Sequence, residues 1–282
     1  MQPPETATTS ETFRDRVTVQ MGTDGVAQVR LSRPDKMNAI DAAMFAGIVA
    51  AGERLHDMHG LRAVVLHGEG RAFCAGLDMA SFGRMSEGGV VAEGLVDLLP
   101  RTHGLANQAQ QVAWLWRALP VPVIAAVHGV AYGGGLQIAL GADVRLLAED
   151  ARMSVMELQW GLVPDMAGIP LMRELLRADV ARELVFSARV VGAAEACSIG
   201  LGTRVCANPL ADALAMARGI AARNPDAVRA AKRLLNQSHD GDSAALLAAE
   251  SVEQQLLIGS PNQREAVLAG MEKRAGRFTD PT

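Results

Sequence analysis

Two glycine-bearing loops, each following a short apolar strand-like run, constrain this chain more than any other feature. Leu61-Arg-Ala-Val-Val-Leu66 leads through His67-Gly-Glu-Gly70 into Arg71-Ala-Phe-Cys-Ala-Gly-Leu-Asp78. The run from Val121 to Val127 leads into His128-Gly-Val-Ala-Tyr-Gly-Gly-Gly-Leu-Gln137. Glycine at a strand-to-helix junction lets backbone amides turn outward, toward the positive end of the following helix dipole. One such loop suits a phosphate, and two from different strands suit a single developing oxyanion. For an isolated glycine triplet a plain tight turn is the favoured reading. The G-x-G-x-x-G dinucleotide fingerprint is not met, because Gly129-Val-Ala-Tyr-Gly-Gly-Gly135 has the wrong spacing and no N-terminal βαβ unit carries one.

Around these loops strand and helix patterns alternate. The runs 17–21 and 26–31 flank Gly22-Thr-Asp-Gly25 and read as a hairpin. Asp41 is a predicted N-cap for a helix whose apolar positions Phe45, Ile48, Val49, Gly52 and Leu55 follow the 3.6-residue period. A third strand is expected from Asp143 to Leu147. The prolines at 120 and 122 suit a strand's start and not its interior. Alternation of this kind predicts an α/β fold with both sheet faces covered. From about residue 208 the pattern becomes helical throughout, with helices expected over 209–223, 225–237, 243–257 and 261–274. The expected organisation is a loose polar tail over 1–13, a core over 14–207 and a helical C-terminal subdomain over 208–282. The glycine-scattered stretch 83–109 is the expected mobile segment.

Composition excludes several functions. With 27 Lys+Arg against 31 Asp+Glu the net charge is −4, which gives no basic face for nucleic acid. Hydrophobic residues make up 49 % of the chain, too many for a disordered segment. The tract from Leu119 to Leu140 is broken by Pro120, Pro122, His128, Gln137 and three glycines, so no membrane span is expected. The N-terminus lacks the basic and apolar regions of a signal peptide. Cys74, Cys197 and Cys206 are odd in number and show neither C-x-x-C nor metal-ligand spacing. A reducing, cytoplasmic compartment and no metal site are expected.

Taken together, Phe73-Cys-Ala-Gly-Leu-Asp78 and His128-Gly-Val-Ala-Tyr-Gly-Gly-Gly135 resemble the paired signature of the crotonase (enoyl-CoA hydratase/isomerase) superfamily. Leu31-Ser-Arg-Pro-Asp-Lys-Met-Asn-Ala-Ile40, Glu157-Leu-Gln-Trp-Gly-Leu-Val-Pro164 and Glu272-Lys-Arg-Ala-Gly-Arg-Phe278 extend the resemblance, in order, from about residue 14 to 278. The resemblance implies a spiral of ββα units with a C-terminal helical part that builds trimers, often paired into hexamers. It implies an acyl-CoA thioester substrate, with coenzyme A as part of that substrate and no further cofactor. By motif, the backbone amides of Leu77 and Gly134 become the oxyanion donors. Lys36, Ala39, Ala75, Gly76, Leu77, Asp78, Gly134, Lys273 and Phe278 become CoA contacts, the last two from the same or an adjacent subunit. Negative charge forms on the thioester oxygen when a proton beside it is removed or water is added, and preorganised donors there contribute roughly 3–4 kcal/mol each.

The acids depart from the hydratase pattern. The family's hydratases use two glutamates. The later one matches Glu157, but the earlier position holds Gln137, which has no ionisable proton and is expected to orient a water or a substrate group. Asp165 stands eight residues after Glu157. This spacing is similar to the dienoyl-CoA isomerase branch, where a carboxylate pair moves protons along the substrate. That branch also has an acid at the position of Gln137, so the match is partial. The favoured expectation is therefore an isomerase using Glu157 and Asp165. A hydratase relying on Glu157, and a non-catalytic CoA-binding scaffold, are the alternatives. Cys74 is expected to be a small buried residue, and His56 and His59 a solvated helix end. Trp114, Trp116, Met153 and Met156 are expected to fill the core or line an acyl pocket.

Overall fold

The computed structural model describes residues 9–86, 97–238 and 241–281. Strand β1 (Thr9–Phe13) pairs antiparallel with β2 (Val17–Met21), which pairs antiparallel with β3 (Val26–Leu31). The part of the expected loose tail from 9 to 13 is instead a strand, and its part from 1 to 8 lies outside the described residues. A strand with one face in solvent looks polar in sequence. Phe13 nevertheless packs on the core, and Arg54 Nε donates to Glu11 Oε1 at 2.8 Å. Asp41 caps α1 (Ala42–His56) as predicted, its carboxylate accepting from the Met44 amide at 2.8 Å.

Strand β4 (Ala63–Gly68) follows and runs parallel to β3. Helix α2 (Met79–Ser86) comes next, then α3 (Gln108–Ala118) with a capping box between Asn107 and Gln110. These helices occupy both ends of the stretch 83–109. The stretch 83–109 was expected to be mobile as a whole; its ends are helical, and its part from 87 to 96 lies outside the described residues. Strand β5 (Val123–Val127) pairs parallel with β4. It continues through β6 (Val130–Tyr132) into α4 (Gly134–Leu140). Then come β7 (Val144–Leu147), parallel to β5, and β8 (Arg152–Ser154), followed by a 3₁₀ turn (Glu157–Trp160) and α5 (Gly168–Leu175). Helix α6 (Ala178–Ser187), β9 (Val191–Gly192), α7 (Ala193–Ile199) and β10 (Arg204–Val205) complete the core.

The main sheet has the order β1-β2-β3-β4-β5-β7-β10, and β6-β8-β9 form a small second sheet. Two successive turns of chain, β5-β6-α4 and β7-β8-α5, each lay one strand in the main sheet and one in the small sheet before a helix. This is the ββα spiral implied by the sequence resemblance. Continuous apolar runs in β4 and β5 follow from two covered faces. Val64, Leu66, Val123, Ala125 and Val127 join the large core with α1 and α3. Ala63, Val65, Ile124 and Ala126 meet Ala213 and Ala217 on the other face.

Those alanines belong to α8 (Pro209–Ala221), so the helical C-terminal region does not begin as a separate layer at 208. Its first helix is the roof of the main sheet. Helices α9 (Pro225–Gln237), α10 (Ser243–Leu257) and α11 (Pro261–Glu272) extend beyond it, and α10 buries no residue. All four helices start within a residue of their predicted positions, because Pro or Ser at the first turn marks each start.

Lys232 ties α9 to the sheet. It is 5 % exposed, and its Nζ donates to the carbonyls of Trp116 (3.1 Å) and Val121 (2.8 Å) and to Asp143 Oδ2 (2.8 Å). Asp143 also accepts from the Val123 amide at 2.7 Å, which fixes the start of β5. Removing the ammonium leaves two carbonyls and a carboxylate short of a donor. Lys232→Met is expected to lower unfolding free energy by about 2–3 kcal/mol, read from the urea midpoint. An unchanged midpoint would show that this buried cation contributes nothing net.

Candidate active site at the ends of two parallel strands

Because β4 and β5 are parallel neighbours, the loops that leave them emerge side by side, where α/β sheets place ligands. The two loops are stitched together. The Phe73 amide donates to the His128 carbonyl (2.9 Å), Cys74 to Val130 (3.0 Å) and Tyr132 to Cys74 (3.1 Å). Gly76 then turns at φ +89°, and a Cβ there would lie 2.6 Å from the Tyr132 carbonyl oxygen and 3.7 Å from the Gly134 nitrogen. Only glycine lets the backbones approach so closely.

The amides of Leu77 and Gly134 take no part in these bonds among the described residues. Around residue 77 the bonds run from the Ile40 amide to the Gly76 carbonyl and from the Asp78 amide to the Ile40 carbonyl, skipping the Leu77 N–H. Gly134 opens α4, whose first intrahelical bond is donated by Gln137 to Gly133. Leu77 and Gly134 both line one cavity of about 930 Å³. Its wall also contains Lys36, Ala39, Ala75, Gly76, Asp78, Glu157 and Asp165, together with apolar Phe45, Met156 and Met166. The Trp160 ring stacks on Phe82 with centroids 4.5 Å apart on the same wall. Nine of the sequence-predicted site residues thus meet in one place.

The remaining three do not. Lys273 is the left-handed cap residue ending α11, and the Phe278 ring packs against Gly276, two residues before it. Neither lines the cavity within a single chain. Gln137 is 2 % exposed and sits behind Glu157. Its Nε2 donates to Glu157 Oε1 at 2.5 Å, and its Oε1 accepts the amides of Met166 (2.8 Å) and Gly168 (2.9 Å). The expectation that Gln137 orients a water or a substrate is corrected: its polar atoms face protein partners.

Glu157 is buried, and its Oε2 has no hydrogen-bond partner among the described residues. Burial pushes its carboxyl above the ordinary glutamate value and the charge of Asp165 adds to that. Hydrogen bonds from its own amide and from Gln137 oppose the shift without cancelling it. Asp165 is also pushed up, chiefly by the protein packed round it, although its side chain still meets solvent. It stands between the large cavity and a smaller one of about 330 Å³ lined by Leu105, Trp114 and Ile169.

Asp78 has a structural tie. Its Oδ2 accepts from Arg33 Nη1 at 2.6 Å and its Oδ1 from the Ala80 amide at 2.8 Å. Partial burial raises the Asp78 carboxyl, but these bonds prevail and hold it below the usual aspartate value. Sequence reading missed Arg33, which also bonds the Ala39 carbonyl at 3.1 Å. It missed Asn38 as well, a fully buried residue at φ +55° whose Nδ2 bridges the carbonyls of Glu69, Ala72 and Phe73. Cys74 is buried, its thiol directed at the Asn38 carbonyl (3.1 Å) and pushed up to about 12 by burial, so it is no nucleophile. Trp116 and Met153 fill the core and Met156 lines the cavity. Among the described residues, no group of three or more His, Cys, Asp or Glu side chains is placed to hold a metal, and no helix is long and apolar enough to cross a membrane.

Comparisons with known proteins agree with this layout. The sequence model of the enoyl-CoA hydratase/isomerase family matches residues 22–281. The Bacillus subtilis protein YngF, which bears an enoyl-CoA hydratase/isomerase name, is 34 % identical over 92 % of this chain and 96 % of its own. Mouse mitochondrial methylglutaconyl-CoA hydratase is 30 % identical over 90 % of this chain and 79 % of its own. The crystal structure of an enoyl-CoA hydratase from Mycobacterium tuberculosis superposes with a TM-score of 0.80 at 28 % identity, covering 94 % of this chain and 99 % of that one. The fold, the order of the loops and the family match lead to one conclusion: this chain belongs to the enoyl-CoA hydratase/isomerase family.

Proposed function

We propose that the chain isomerises enoyl- or dienoyl-CoA thioesters, with Glu157 and Asp165 transferring the protons and the Leu77 and Gly134 amides binding the thioester oxygen. One observation carries this reading: Glu157 and Asp165 face the same apolar cavity as those two amides, while the side chain of Gln137 is turned into the protein. In 3-enoyl-CoA the C2 protons lie between a thioester and a double bond. Glu157 takes one of them, and the electron pair passes through the conjugated system to the carbonyl oxygen, where the two amides stabilise it. Asp165 then protonates the far end of the system, leaving Glu157 protonated and Asp165 ionised; Glu157 gives up its proton and Asp165 regains one, by exchange through solvent, which restores the starting pair. Carboxyls held above their ordinary proton affinity suit both halves of this transfer.

The hydratase reading draws on the names of relatives, several of which are called hydratases. In that case Glu157 handles the proton of an added water and Asp165 is dispensable. The two readings separate on paired substrates. Asp165→Asn is expected to slow isomerisation of 3-hexenoyl-CoA roughly a hundredfold or more, the usual range for a general acid. Hydration of crotonyl-CoA is expected to be slow in the wild type and insensitive to the same change. Fast crotonyl-CoA hydration, indifferent to Asp165→Asn, would replace the isomerase reading with the hydratase one. Glu157→Gln is expected to abolish turnover by roughly a hundredfold or more while leaving CoA thioester binding in place. Retained turnover there would remove both readings that rest on Glu157, whereas a wild type that binds CoA thioesters and turns none over would favour the scaffold.

The pH dependence follows from the sign of the Glu157 shift. As a base Glu157 must be ionised, and burial raises the pH at which it ionises. The acidic limb of the kcat/KM profile is therefore expected above the ordinary glutamate range, and a limb at the ordinary value would count against Glu157 as the base.

The reading extends to self-association as a homotrimer or homohexamer. Leu247, Val252, Leu256 and Ile258 on and after α10, with Met271 on α11, are exposed in a single chain. Lys273 and Phe278, away from their own cavity, would then approach CoA held by a neighbouring copy. Leu247→Glu with Leu256→Glu is expected to shift the mass measured by light scattering toward a monomer, and an unchanged mass would place the interface elsewhere.

A further inference from the structure

The side chain of Gln137 holds chemically different partners at its two ends. Met166 and Gly168 each bring an amide N–H, which only an oxygen can accept. Glu157 brings a carboxylate oxygen, which needs a donor. The amide therefore has only one workable orientation, nitrogen toward Glu157 and oxygen toward the loop before α5. Packing enforces this placement: a Cβ on Gly168 would come within 2.6 Å of Gln137 Oε1, so the loop closes on the amide only because residue 168 is glycine. Between the two captured amides, Ala167 adopts a left-handed conformation at φ +64°. Asp165 is the residue immediately before this clamped segment.

We propose that Gln137 is a positioning residue that occupies Glu157 Oε1, leaves Oε2 as the single working oxygen, and fixes the loop carrying Asp165 to the same anchor. The inference deepens the functional reading above, since it takes Glu157 as the proton-transferring group. One side chain then sets both carboxyls in register. A carboxylic acid at 137 performs this task only while protonated, because its ionised form has no hydrogen to give Glu157. An apolar residue there performs neither half. The charged group facing Glu157 is Asp165, from the loop before α5; no cation among the described residues acts on it.

The test follows the Glu157 carboxyl itself by carbon-13 NMR titration in wild type, Gln137→Met and Gln137→Glu, alongside 3-hexenoyl-CoA kinetics. Losing a donor to the ionised carboxylate disfavours that form, so in Gln137→Met the Glu157 titration is expected to move up by about one pH unit. With the base misplaced, kcat is expected to fall roughly a hundredfold while KM stays close to wild type. Gln137→Glu is isosteric and keeps the test open if the methionine variant does not fold. It is expected to retain turnover at acidic pH and to lose it as the proton shared with Glu157 leaves. An unmoved Glu157 titration in Gln137→Met, or a Gln137→Glu profile identical to wild type, overturns the proposal. A wild type that turns over no acyl-CoA thioester overturns the functional reading instead, and the titration still decides the role of Gln137.

Discussion

The bonds that stitch the loop after β4 to the loop after β5 are the constraint on which the rest of the site depends. They run from Phe73 to His128, from Cys74 to Val130 and from Tyr132 to Cys74, and they fix the relative height of two backbone segments far apart in sequence. A single slipped bond would move the Leu77 amide out of line with that of Gly134. Backbone donors are suited to an oxyanion because their direction is set by the fold and costs no side-chain entropy at the moment of reaction. Donors that are pointed by the fold require a fold that does not give, and β4 and β5 are buried on both faces.

The N-terminal segment reinforces this arrangement from outside. Asn38 holds three carbonyls of the first loop, and Arg33 joins Asp78, Asp41 and the Ala39 carbonyl. Asn38 is fully buried, so leaving its amide unpaired would cost more than a bond returns, while Arg33, Asp41 and Asp78 are half-buried. The network is fully employed, and for that reason Asp78 does not present a free negative charge where an anionic thioester carrier would dock. Arg33 neutralises it.

Much of this layout was legible in the sequence. Buried runs in β4 and β5, the Asp41 cap and the starts of the C-terminal helices all follow from local signals: apolar continuity, a capping side chain, proline at a first turn. What failed was whatever depends on a distant partner. The tail at Thr9 to Phe13 is polar, and only pairing with β2 makes it a strand. The position of α8 against the sheet is invisible because Ala213 and Ala217 signal no preference for one layer over another. Gln137 was placed facing the substrate because its side chain, read along the chain alone, has free hydrogen-bonding groups; its partners at 157, 166 and 168 become neighbours only after folding. Motif spacing located the cavity and its carboxyls, but not the direction in which a buried amide points.

The difference between the two carboxyls has its own physical logic. Both have raised proton affinity, yet from unlike surroundings: Glu157 is enclosed and held by one oxygen, whereas Asp165 is surrounded by protein but open to solvent. Two equivalent carboxyls would share a proton indifferently and give the reaction no direction of transfer. In the proposed isomerisation, an enclosed base with one free oxygen would meet the carbon acid without competition from water, and a solvent-connected acid would recover its proton after each turnover. Under that proposal burial would sort two chemically similar side chains into different roles. The sorting rests on the loop before α5, which brings Asp165 to the cavity's edge while Met166, directly after it, is buried.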